Sequence, residues 1–329
     1  MRYLVTGGLG FIGSNFITKI LTKKNNYILN LDYKSKYSMS KLIDDSHNYE
    51  YIKCDISNKR MVEKIIFKYE PEIILNFAAE SHVDRSINAP HQFIKSNILG
   101  TYSLIEATKK FLEAKKKINS KFKFIHISTD EVYGSLNKND KPFNEESNYK
   151  PNSPYSTSKA SSDFLVRSWF ETYKIPAIIT NCSNNYGPWQ HPEKLIPKTI
   201  INALDNKPIP IYGKGDNIRD WIYVDDHINA ILLLIKKGKN GEKYNIGSNQ
   251  EFTNIKIVEF ICKHLDKIKP SNQSYLKLIK YVSDRKGHDF RYAINSSKIE
   301  NSVQFKSKFS FDKGIKKTIN WYIDNLDYV

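Results

Sequence analysis

A glycine-rich run, Thr6-Gly-Gly-Leu-Gly-Phe-Ile-Gly13, lies between the apolar segment Tyr3–Thr6 and an amphipathic segment. Strand, glycine turn and helix in this order are typical of a dinucleotide-binding fold. Gly7 allows a tight turn, Gly10 lets the backbone approach a pyrophosphate, and Gly13 lets the helix pack closely on the strand. The start of the helix then presents free N–H groups to the phosphates. We therefore predict cofactor contacts at Gly7, Gly10, Phe11, Ile12 and Gly13.

The first half of the chain alternates short apolar runs with amphipathic stretches. The apolar runs have the length and the Ile, Leu, Val or Phe content of buried parallel strands; they are Tyr3–Thr6, Tyr27–Asp32, Tyr49–Asp55, Glu72–Ala79, Phe122–Thr129 and Ala177–Asn181. The helical patterns are Asn58–Tyr69, His91–Lys117 and Ser153–Tyr173. This alternation predicts an α/β fold with a Rossmann-type, doubly wound parallel sheet.

After about Asn184 the sequence becomes richer in turns, and the predicted strands become shorter. Helical patterns continue at Glu193–Leu204, Val224–Lys236, Asn254–Leu265 and Asp312–Asn325. We predict a smaller C-terminal α/β region that binds substrate. The expected division is a dinucleotide-binding domain at 1–184 plus roughly 223–248, and a substrate-binding domain at roughly 185–222 and 249–329.

The chain is basic, with 51 Lys+Arg against 35 Asp+Glu and a formal net charge of +16 over 329 residues. Such charge raises the alternative of a nucleic-acid-binding protein. Arginine, which reads bases in the grooves, occurs only seven times, so a solvated lysine coat is the preferred interpretation. The apolar run Ala230–Ile235 is too short to span a bilayer. Three scattered cysteines and no leader-like start predict a cytoplasmic protein with no metal site.

Two aspartates follow predicted strands at the expected cofactor edge. Asp32 ends the second strand, about twenty residues after the glycine turn, where a carboxylate hydrogen-bonds the ribose 2′-hydroxyl and repels a 2′-phosphate. This position predicts NAD rather than NADP as the cofactor. Asp55, followed by Ile56, ends the third strand and is a candidate for the adenine side of the same site.

Tyr155 and Lys159 lie four residues apart at the start of a predicted helix, so they share one helical face. An ammonium beside a phenol lowers the phenol pKa and makes the tyrosine usable as a base. The spacing alone is weak evidence, because Tyr49 and Lys53 match it too. Only Tyr155 follows five predicted strands and begins a long helix.

Two adjacent acids, Asp130 and Glu131, lie in the segment Ser128–Gly134 at the carboxyl end of the fifth predicted strand. Ligands of open α/β sheets bind outside those strand ends. Neighbouring acids in different environments separate their pKa values and serve as acid and base. A solvated loop pair is the alternative interpretation of these two residues.

Together these motifs point to the extended short-chain dehydrogenase/reductase superfamily, and longer blocks narrow the resemblance. The chain resembles the dTDP-glucose 4,6-dehydratase family from Met1 to about Tyr322. The blocks that carry this resemblance are Ala78–Ile87, Ser128–Gly134, Pro154–Asp163, Asn181–Pro188, Pro192–Pro197, Ile218–His227 and Asp284–Asp289.

The resemblance implies a redox-neutral dehydration of a nucleotide sugar with tightly held NAD. In that reaction C4 is oxidised, water leaves across C5 and C6, and hydride returns to C6. It implies that Tyr155 takes the C4 hydroxyl proton with the help of Lys159, and that Thr129 contacts the C4 oxygen. Asp130 would be the acid for the C6 hydroxyl, and Glu131 would be the base at C5.

The resemblance also implies binding residues and an assembly. The cofactor would contact Ala78, Ala79, Ser81, Tyr155, Lys159 and Asn185, besides the residues given above. The nucleotide sugar would contact Ser81, Thr129, Asn184, Lys194, Leu195, Pro210, Tyr212, Arg219, Asn254, Arg285 and His288. A homodimer is expected, with the helices at His91–Lys117 and Ser153–Tyr173 in the interface.

Three departures from the family pattern touch the nucleotide rather than the reacting sugar carbons: Lys286, Trp189–His191 and the loop Tyr33–Ser40. They leave the choice between dTDP-glucose and UDP-glucose open, since the two bases differ by one methyl group. A nucleotide-sugar 4-epimerase is a further enzymatic alternative. It needs no acid–base pair for elimination, so Asp130 and Glu131 argue against it.

Overall fold

The structure is a computed structural model that describes residues 1–33, 46–116 and 121–328. Of the loop Tyr33–Ser40, only its first residue lies within the described part of the chain. The strands are β1 Arg2–Thr6, β2 Tyr27–Asp32, β3 Tyr49–Lys53, β4 Ile73–Asn76, β5 Lys123–Thr129, β6 Ala177–Cys182, β7 Asn184–Tyr186, β8 Ile209–Tyr212, β9 Ile218–Tyr223, β10 Lys243–Ile246, β11 Glu251–Thr253, β12 Ile279–Val282 and β13 Arg291–Tyr292.

The α-helices flank these strands and connect most of them. They are α1 Phe11–Leu21, α2 Lys59–Tyr69, α3 Val83–Asn88, α4 Pro90–Phe93, α5 Gly100–Ala114, α6 Pro154–Tyr173, α7 Leu195–Leu204, α8 Val224–Lys237, α9 Asn254–Ile268, α10 Ser297–Val303 and α11 Phe311–Asp324. In the part of the chain that the structure describes, no helix is long and apolar enough to cross a membrane.

The main sheet has seven strands in the order β10-β6-β5-β4-β1-β2-β3. All of its neighbouring pairs are parallel. The strand order reverses at β1, so the carboxyl ends of β1 and β4 flank a switch point where ligands bind. The predicted Rossmann-type, doubly wound fold is confirmed.

Helices cover both faces of this sheet because its strands are apolar on both sides. One core joins the sheet to α1, α8 and α10 through residues such as Phe16, Ile231 and Ile299. The opposite core joins it to α2, α5 and α6 through residues such as Ile66 and Phe111. The main sheet is therefore packed on both faces, and its strand ends are held in fixed positions.

The remaining strands form smaller sheets beside those ends. Strand β9 pairs with β11 in antiparallel fashion and with β7 and β13 in parallel fashion. Strands β8 and β12 form a separate parallel pair. A third core joins these strands to α7, α9 and α11. The chain crosses between the regions, since α8 packs on α1 and β10 extends the main sheet.

Several predicted elements differ from the structure at their ends, three of them along the cofactor side of the main sheet. Strand β3 ends at Lys53 rather than at Asp55, because the Asp55 side chain accepts hydrogen bonds from Ser57 and turns the backbone. Strand β4 ends at Asn76 rather than at Ala79. The predicted helix at His91–Lys117 contains the π-helical segment Ile94–Leu99 between α4 and α5.

The π-helical segment connects a loop after β4 with α6. Asn97, in this segment, accepts a hydrogen bond from Glu80 N (2.9 Å) and donates to Glu80 O (3.0 Å). The same amide donates to Ser158 Oγ at 2.8 Å. The wider turn of the π-helical segment therefore lies where the buried Asn97 amide bridges two elements. Such π-helical turns are frequent at functional sites.

Candidate active site

A cleft of about 460 Å³ lies between the main sheet and the smaller sheets. Glu131 lies in its wall, beyond the carboxyl end of β5. The cleft is lined by nine residues predicted to bind substrate, which are Asn184, Lys194, Leu195, Pro210, Tyr212, Arg219, Asn254, Arg285 and His288. The strand ends and the second region therefore enclose one shared site.

The glycine turn has the geometry of a phosphate cradle. Gly7 has φ +70°, and a Cβ there would lie 2.5 Å from Ala78 N, so only glycine fits. A Cβ on Gly13 would lie 2.4 Å from the Gly7 carbonyl oxygen, which shows how tightly α1 packs on the turn. Gly10 precedes Phe11 and Ile12, the first residues of α1, whose N–H groups have no acceptor inside the helix.

Asp32, at the end of β2, braces the same turn. Its Oδ2 accepts a hydrogen bond from Leu9 N at 2.7 Å, and its Oδ1 accepts one from Tyr33 N at 2.6 Å. Burial raises the Asp32 pKa, and these two backbone hydrogen bonds oppose that rise. A carboxylate is thus fixed beside the turn where the ribose of a dinucleotide would lie.

Asp55 and Ile56 follow β3 at the adjacent edge. Asp55 pairs with Lys95 Nζ at 2.8 Å, and its pKa is lowered: burial acts against the lowering, but hydrogen bonds from Lys95 and Ser57 outweigh it. Ile56 is buried and lies against Gly100, where a Cβ would be 2.7 Å from its side chain. These contacts hold Asp55 and Ile56 in place on the side of the site where the adenine is expected.

The loop after β4 supplies the other wall of the cofactor site. Ala78 N donates to Thr6 Oγ1 at 3.3 Å, which fixes the loop against the end of β1. Ala79 follows, and the Ser81 carbonyl accepts a hydrogen bond from Lys194 Nζ at 2.9 Å. The residues present therefore fit an extended dinucleotide that runs from the glycine turn across the ends of β1 and β4.

The acid pair begins a short 3-10 turn after β5, with Thr129 as its cap. Thr129 Oγ1 accepts from Glu131 N and contacts Asp130 Oδ1, both at 3.3 Å. Asp130 is only 2% exposed, and its pKa is raised well above the usual range, first by burial and then by Glu131 and Asp220. A proton-holding acid therefore lies next to Glu131.

Glu131 lies in the cleft wall under a different balance of charges. Burial raises its pKa, while the Lys194, Arg219 and Arg285 cations lower it. Both pKa values are raised, but that of Asp130 is raised well above its usual range, because Glu131 and Asp220 add to the effect of burial there, whereas three cations oppose the effect of burial at Glu131. Such inequality suits one proton donor and one proton acceptor.

Tyr155 enters the site from the first turn of α6. Burial raises its pKa well above the usual range, Glu131 raises it further, and a hydrogen bond with Thr129 lowers it. Lys159 Nζ donates to the Ile127 carbonyl at 2.7 Å. The Tyr155 pKa is raised overall, and the expectation that Lys159 lowers it stays a prediction.

Helix α6 is positioned by a capping box. Ser153 Oγ accepts from Ser156 N at 3.0 Å, and Ser153 N donates to Ser156 Oγ at 3.0 Å. Pro154 occupies the first turn, where its missing N–H needs no partner. The cap fixes the direction of the helix and therefore the depth of Tyr155.

Arg219, on β9, is 6% exposed and is held by backbone carbonyls. It donates to Ile218 O (2.8 Å), Asp289 O (2.9 Å) and Phe290 O (3.2 Å). Its guanidinium stacks on the Tyr292 ring at 4.2 Å. This bracing presents a rigid cation to the cleft, as recognition of a phosphate requires.

Arg285 and His288 lie on the loop after β12. The Arg285 guanidinium pairs with both carboxylate oxygens of Asp84, at 2.6 Å and 3.2 Å, and lies 5.3 Å from the Tyr212 ring centre. His288 Nδ1 contacts Asp284 Oδ1 at 2.7 Å. Asp84 therefore supplies the counter-charge to Arg285.

The remaining predicted residues lie at element ends around the cleft. Lys194 caps α7 and Leu195 begins it, while Asn254 begins α9 and Pro210 belongs to β8. Asn184 begins β7, and its buried Oδ1 has no hydrogen-bond partner among the residues that the structure describes.

Asn185, the next residue, is already engaged. Its Nδ2 donates to Ser183 O, and its Oδ1 contacts His227 Nδ1 at 2.8 Å.

Sequence reasoning missed an ionic cluster at the mouth of the cleft. Arg85 Nη2 contacts both carboxylate oxygens of Glu193, at 2.8 and 2.7 Å, and His82 Nε2 lies 3.3 Å from the same carboxylate. With the Asp84–Arg285 pair, the cluster ties α3 to both sides of the second region. The only sequence signal for this cluster was the resemblance block Ala78–Ile87, which contains Asp84. No local pattern could show the ion pair itself, because Arg285 lies 201 residues away.

Comparisons with known proteins agree with this geometry. The family model described as GDP-mannose 4,6 dehydratase matches residues 4–318. The dTDP-glucose 4,6-dehydratase of Salmonella typhimurium is 47% identical over an alignment of 343 positions. This alignment covers 100% of this chain and 94% of the relative.

Solved structures extend the comparison to the fold. The dTDP-glucose 4,6-dehydratase of Bacillus anthracis, solved in complex with NAD, is 42% identical with a TM-score of 0.86, covering 100% of this chain and 98% of that chain. The UDP-glucose 4-epimerase of Thermotoga maritima has the same TM-score at 28% identity, covering 99% of this chain and 100% of that chain. The sequence identity is therefore higher to these two dehydratases than to this epimerase, although all of them share the fold. The chain belongs to the dTDP-glucose 4,6-dehydratase family.

Proposed function

We propose that this protein is an NAD-dependent hydro-lyase that converts dTDP-glucose into dTDP-4-keto-6-deoxyglucose and water. The observation that carries the proposal is the unequal acid pair, Asp130 and Glu131, placed beside Tyr155 at the end of β5. Curated relatives at 47% identity over the full chain carry the same activity in their names, which supports it.

Each of the three residues Tyr155, Glu131 and Asp130 carries out one proton transfer of the proposed reaction. Tyr155, next to Thr129 and Lys159, takes the proton of the C4 hydroxyl. Glu131 takes the C5 proton, which the C4 ketone makes acidic. Asp130 keeps its proton and gives it to the departing C6 hydroxyl, so water leaves without free hydroxide. The elimination thus needs both acids in opposite protonation states.

NAD fits the cradle formed by the glycine turn, Asp32 and the loop at Ala78–Ser81. When bound, it supplies the hydride acceptor for C4 and the hydride donor for C6. Asp32 selects against a 2′-phosphate because two negative charges would then be brought together. The NAD complex of the Bacillus anthracis relative supports this cofactor.

The nucleotide end of the substrate belongs to the cationic part of the cleft. Arg219 and Arg285 suit diphosphate oxygens, and Lys194 lines the same cleft and lowers the Glu131 pKa. Tyr212 and Asn254 line the same cleft. As part of this proposal, 1–184 with roughly 223–248 form the NAD-binding domain, and roughly 185–222 with 249–329 form the nucleotide-sugar domain.

The proposal includes a homodimer. Ile94 and Leu99, in the π-helical segment, are each 50% exposed, and Phe164 on the adjacent α6 is 58% exposed. A second copy would cover these exposed apolar side chains. We expect Leu99→Asp and Phe164→Asp to shift the protein to monomer in sedimentation, and Ile268→Asp, on α9, to leave it dimeric. A dimer that persists in both interface variants would contradict this part.

A cytoplasmic location completes the proposal. All three cysteines are buried free thiols, and burial raises the pKa of Cys182 to about 12. Unreactive, unpaired thiols suit a reducing compartment. The measurement is the distribution of the protein between fractions of gently lysed cells, and recovery outside the cytoplasm would contradict the assignment.

The test of the activity compares two substrates side by side. Purified protein with catalytic NAD is incubated with dTDP-glucose and, separately, with UDP-glucose, and 4-keto-6-deoxy product is read by its absorbance in alkali. We expect product without any added reductant, and faster from dTDP-glucose. Absence of product from both substrates would refute the proposal, and faster turnover of UDP-glucose would correct the nucleotide.

A further inference from the structure

Asp289 is a buried carboxylate that the proposed reaction does not use. It lies between β12 and β13, lines the cleft and is 7% exposed. Its Oδ1 accepts a hydrogen bond from Asn152 Nδ2 at 2.7 Å, and its Oδ2 accepts one from the Tyr292 hydroxyl at 2.5 Å. Both oxygens of this carboxylate are therefore engaged, by donors from two different parts of the chain.

The first of these donors belongs to the segment that leads into α6. Asn152 stands directly before the capping box of that helix, whose first turn carries Tyr155. It lies 137 residues from Asp289 in the sequence. A second hydrogen bond follows the same route, since Phe290 N donates to Ser135 Oγ at 2.9 Å. One side of the Asp289 carboxylate is thus anchored at the start of the helix that carries the proposed base.

The second donor, Tyr292, carries the ring on which Arg219 stacks. The Arg219 guanidinium carbon lies 4.2 Å from the centre of this ring, and both residues are buried. Burial raises the Tyr292 pKa well above its usual range, and Glu131 raises it further. The hydroxyl therefore keeps its proton and donates it to the carboxylate. In this way Asp289 fixes the tilt of the ring beneath the guanidinium.

The main chain of Asp289 holds the guanidinium itself. Arg219 Nη2 donates to Asp289 O at 2.9 Å, while Nη1 donates to Phe290 O at 3.2 Å and to Ile218 O at 2.8 Å. Hydrogen bonds among the described residues thus use three of the five N–H groups of the guanidinium, and two are left for an anionic ligand of the cleft. Asp289 therefore contacts the cation with its carbonyl and supports the ring beneath it with its carboxylate.

We propose that Asp289 is a positioning residue that orients Arg219 toward the diphosphate of the nucleotide. The inference rests on the proposed function, in which Arg219 binds diphosphate oxygens. The two hydrogen bonds of the carboxylate connect the stacked ring to the start of α6, so the cation is held at a fixed place relative to Tyr155. A guanidinium recognises phosphate as a planar fork, and its affinity therefore depends on the direction of its plane.

The experiment compares Asp289→Ala with Asp289→Asn in the full chain, by calorimetric titration with dTDP and with UDP in the presence of NAD. Alanine removes both side-chain hydrogen bonds, so affinity for the nucleoside diphosphate should fall about 10-fold. Asparagine keeps an oxygen for the Asn152 amide and offers an N–H to the Tyr292 hydroxyl, so it should restore most of the affinity. An asparagine variant as weak as the alanine variant would show that charge, rather than position, matters and would overturn the proposal.

A double-mutant cycle with Asn152→Ala tests the anchor at α6. Asn152 is exposed and lies outside the described residues that line the cleft, so its replacement removes the hydrogen bond without touching the ligand. We expect affinity to fall about 2- to 5-fold. In the Asp289→Ala background, Asn152→Ala should cause no further loss. A full additional loss in the double variant would overturn the proposal.

Asp266→Ala is the matched control for general loosening of the second region. The Asp266 carboxylate also accepts two hydrogen bonds, from Ser274 Oγ at 2.6 Å and from Tyr275 N at 2.9 Å. It lies on α9, outside the described residues that line the cleft. This variant should lose stability but keep the wild-type affinity for both nucleoside diphosphates. An affinity loss equal to that of Asp289→Ala would overturn the proposal.

Circular dichroism checks that each variant folds. If Asp289→Ala does not fold, Asn152→Ala and Tyr292→Phe decide the question, because the phenylalanine ring still lies beneath the guanidinium and only the hydroxyl is lost. Both variants should then bind the nucleoside diphosphates more weakly, and wild-type affinity in both would overturn the proposal. These affinities need no turnover, so a failure of the proposed activity and a failure of this inference give different results.

Discussion

At the scale of single residues, the reaction centre depends on two adjacent acids with different surroundings. Burial, Glu131 and Asp220 raise the Asp130 pKa well above its usual range, whereas the Lys194, Arg219 and Arg285 cations oppose the rise that burial causes at Glu131. Reversing either environment would leave the elimination without its acid or without its base. The adjacency was visible in the sequence, but the difference in environment needed the fold.

Glu131→Gln tests the base assignment. The amide keeps the shape of the side chain but cannot take the C5 proton, so elimination should slow by about 10²- to 10⁴-fold. Oxidation at C4 does not need Glu131, so reduced nicotinamide should still appear in a single turnover, measured by its near-ultraviolet absorbance. Normal dehydration by this variant would show that another group is the base.

The pH dependence of kcat/KM tests the cations around Glu131. Burial raises the Glu131 pKa, and the base form exists only above it, so activity is lost as pH falls through that raised value. The Lys194 ammonium lowers this pKa. Lys194→Met should therefore move the acid limb to higher pH.

Lys198→Met is the matched control for that experiment. Lys198 lies one turn further along α7 and also lines the cleft. Its replacement should leave the acid limb in place. An equal shift in both variants would mean that the general charge of the cleft, rather than Lys194, sets the pKa of the base.

At the scale of elements, the capping box of α6 determines where Tyr155 lies. Ser153→Ala removes the hydrogen bond to Ser156 N, so the free energy of unfolding should fall by about 1 kcal/mol, measured by urea denaturation. Ser161→Ala is the control, because Ser161 is only half-buried and its side chain donates within the helix, to the Thr157 carbonyl. Equal losses in the two variants would argue against a capping role.

Element positions were predictable from local patterns, and element ends were less so. Helix α6 begins within one residue of its predicted start because Ser153 and Pro154 are local signals. The π-helical segment was not predictable, since its geometry accompanies contacts of Asn97 with Glu80 and Ser158, which are distant in sequence.

At the scale of the whole molecule, the chain joins its two regions by charge as well as by packing. Asp84–Arg285 and Arg85–Glu193 connect α3 to the loop after β12 and to the segment just before α7. The resemblance predicted Arg285 at the site, but only the tertiary structure revealed Asp84 as its ion-pair partner. Pairings across such distances leave no periodic signal in a single sequence.

The net charge of +16 predicts steering of the anionic substrate. Raising the ionic strength from about 0.01 M to about 0.1 M shortens the screening length about threefold. We expect kcat/KM for dTDP-glucose to fall over this range while kcat stays nearly constant, as measured by initial rates. A kcat/KM that does not respond to salt would show that the lysine coat has no role in capture.

The central claim is that one active site oxidises C4, eliminates water and returns the same hydride to C6. The most direct test uses dTDP-glucose deuterated at C4, with catalytic unlabelled NAD, and locates the label by nuclear magnetic resonance. The account predicts a 4-keto-6-deoxy product that carries deuterium at C6. A hexose that still carries deuterium at C4, with inverted configuration, would reveal a 4-epimerase and contradict the account.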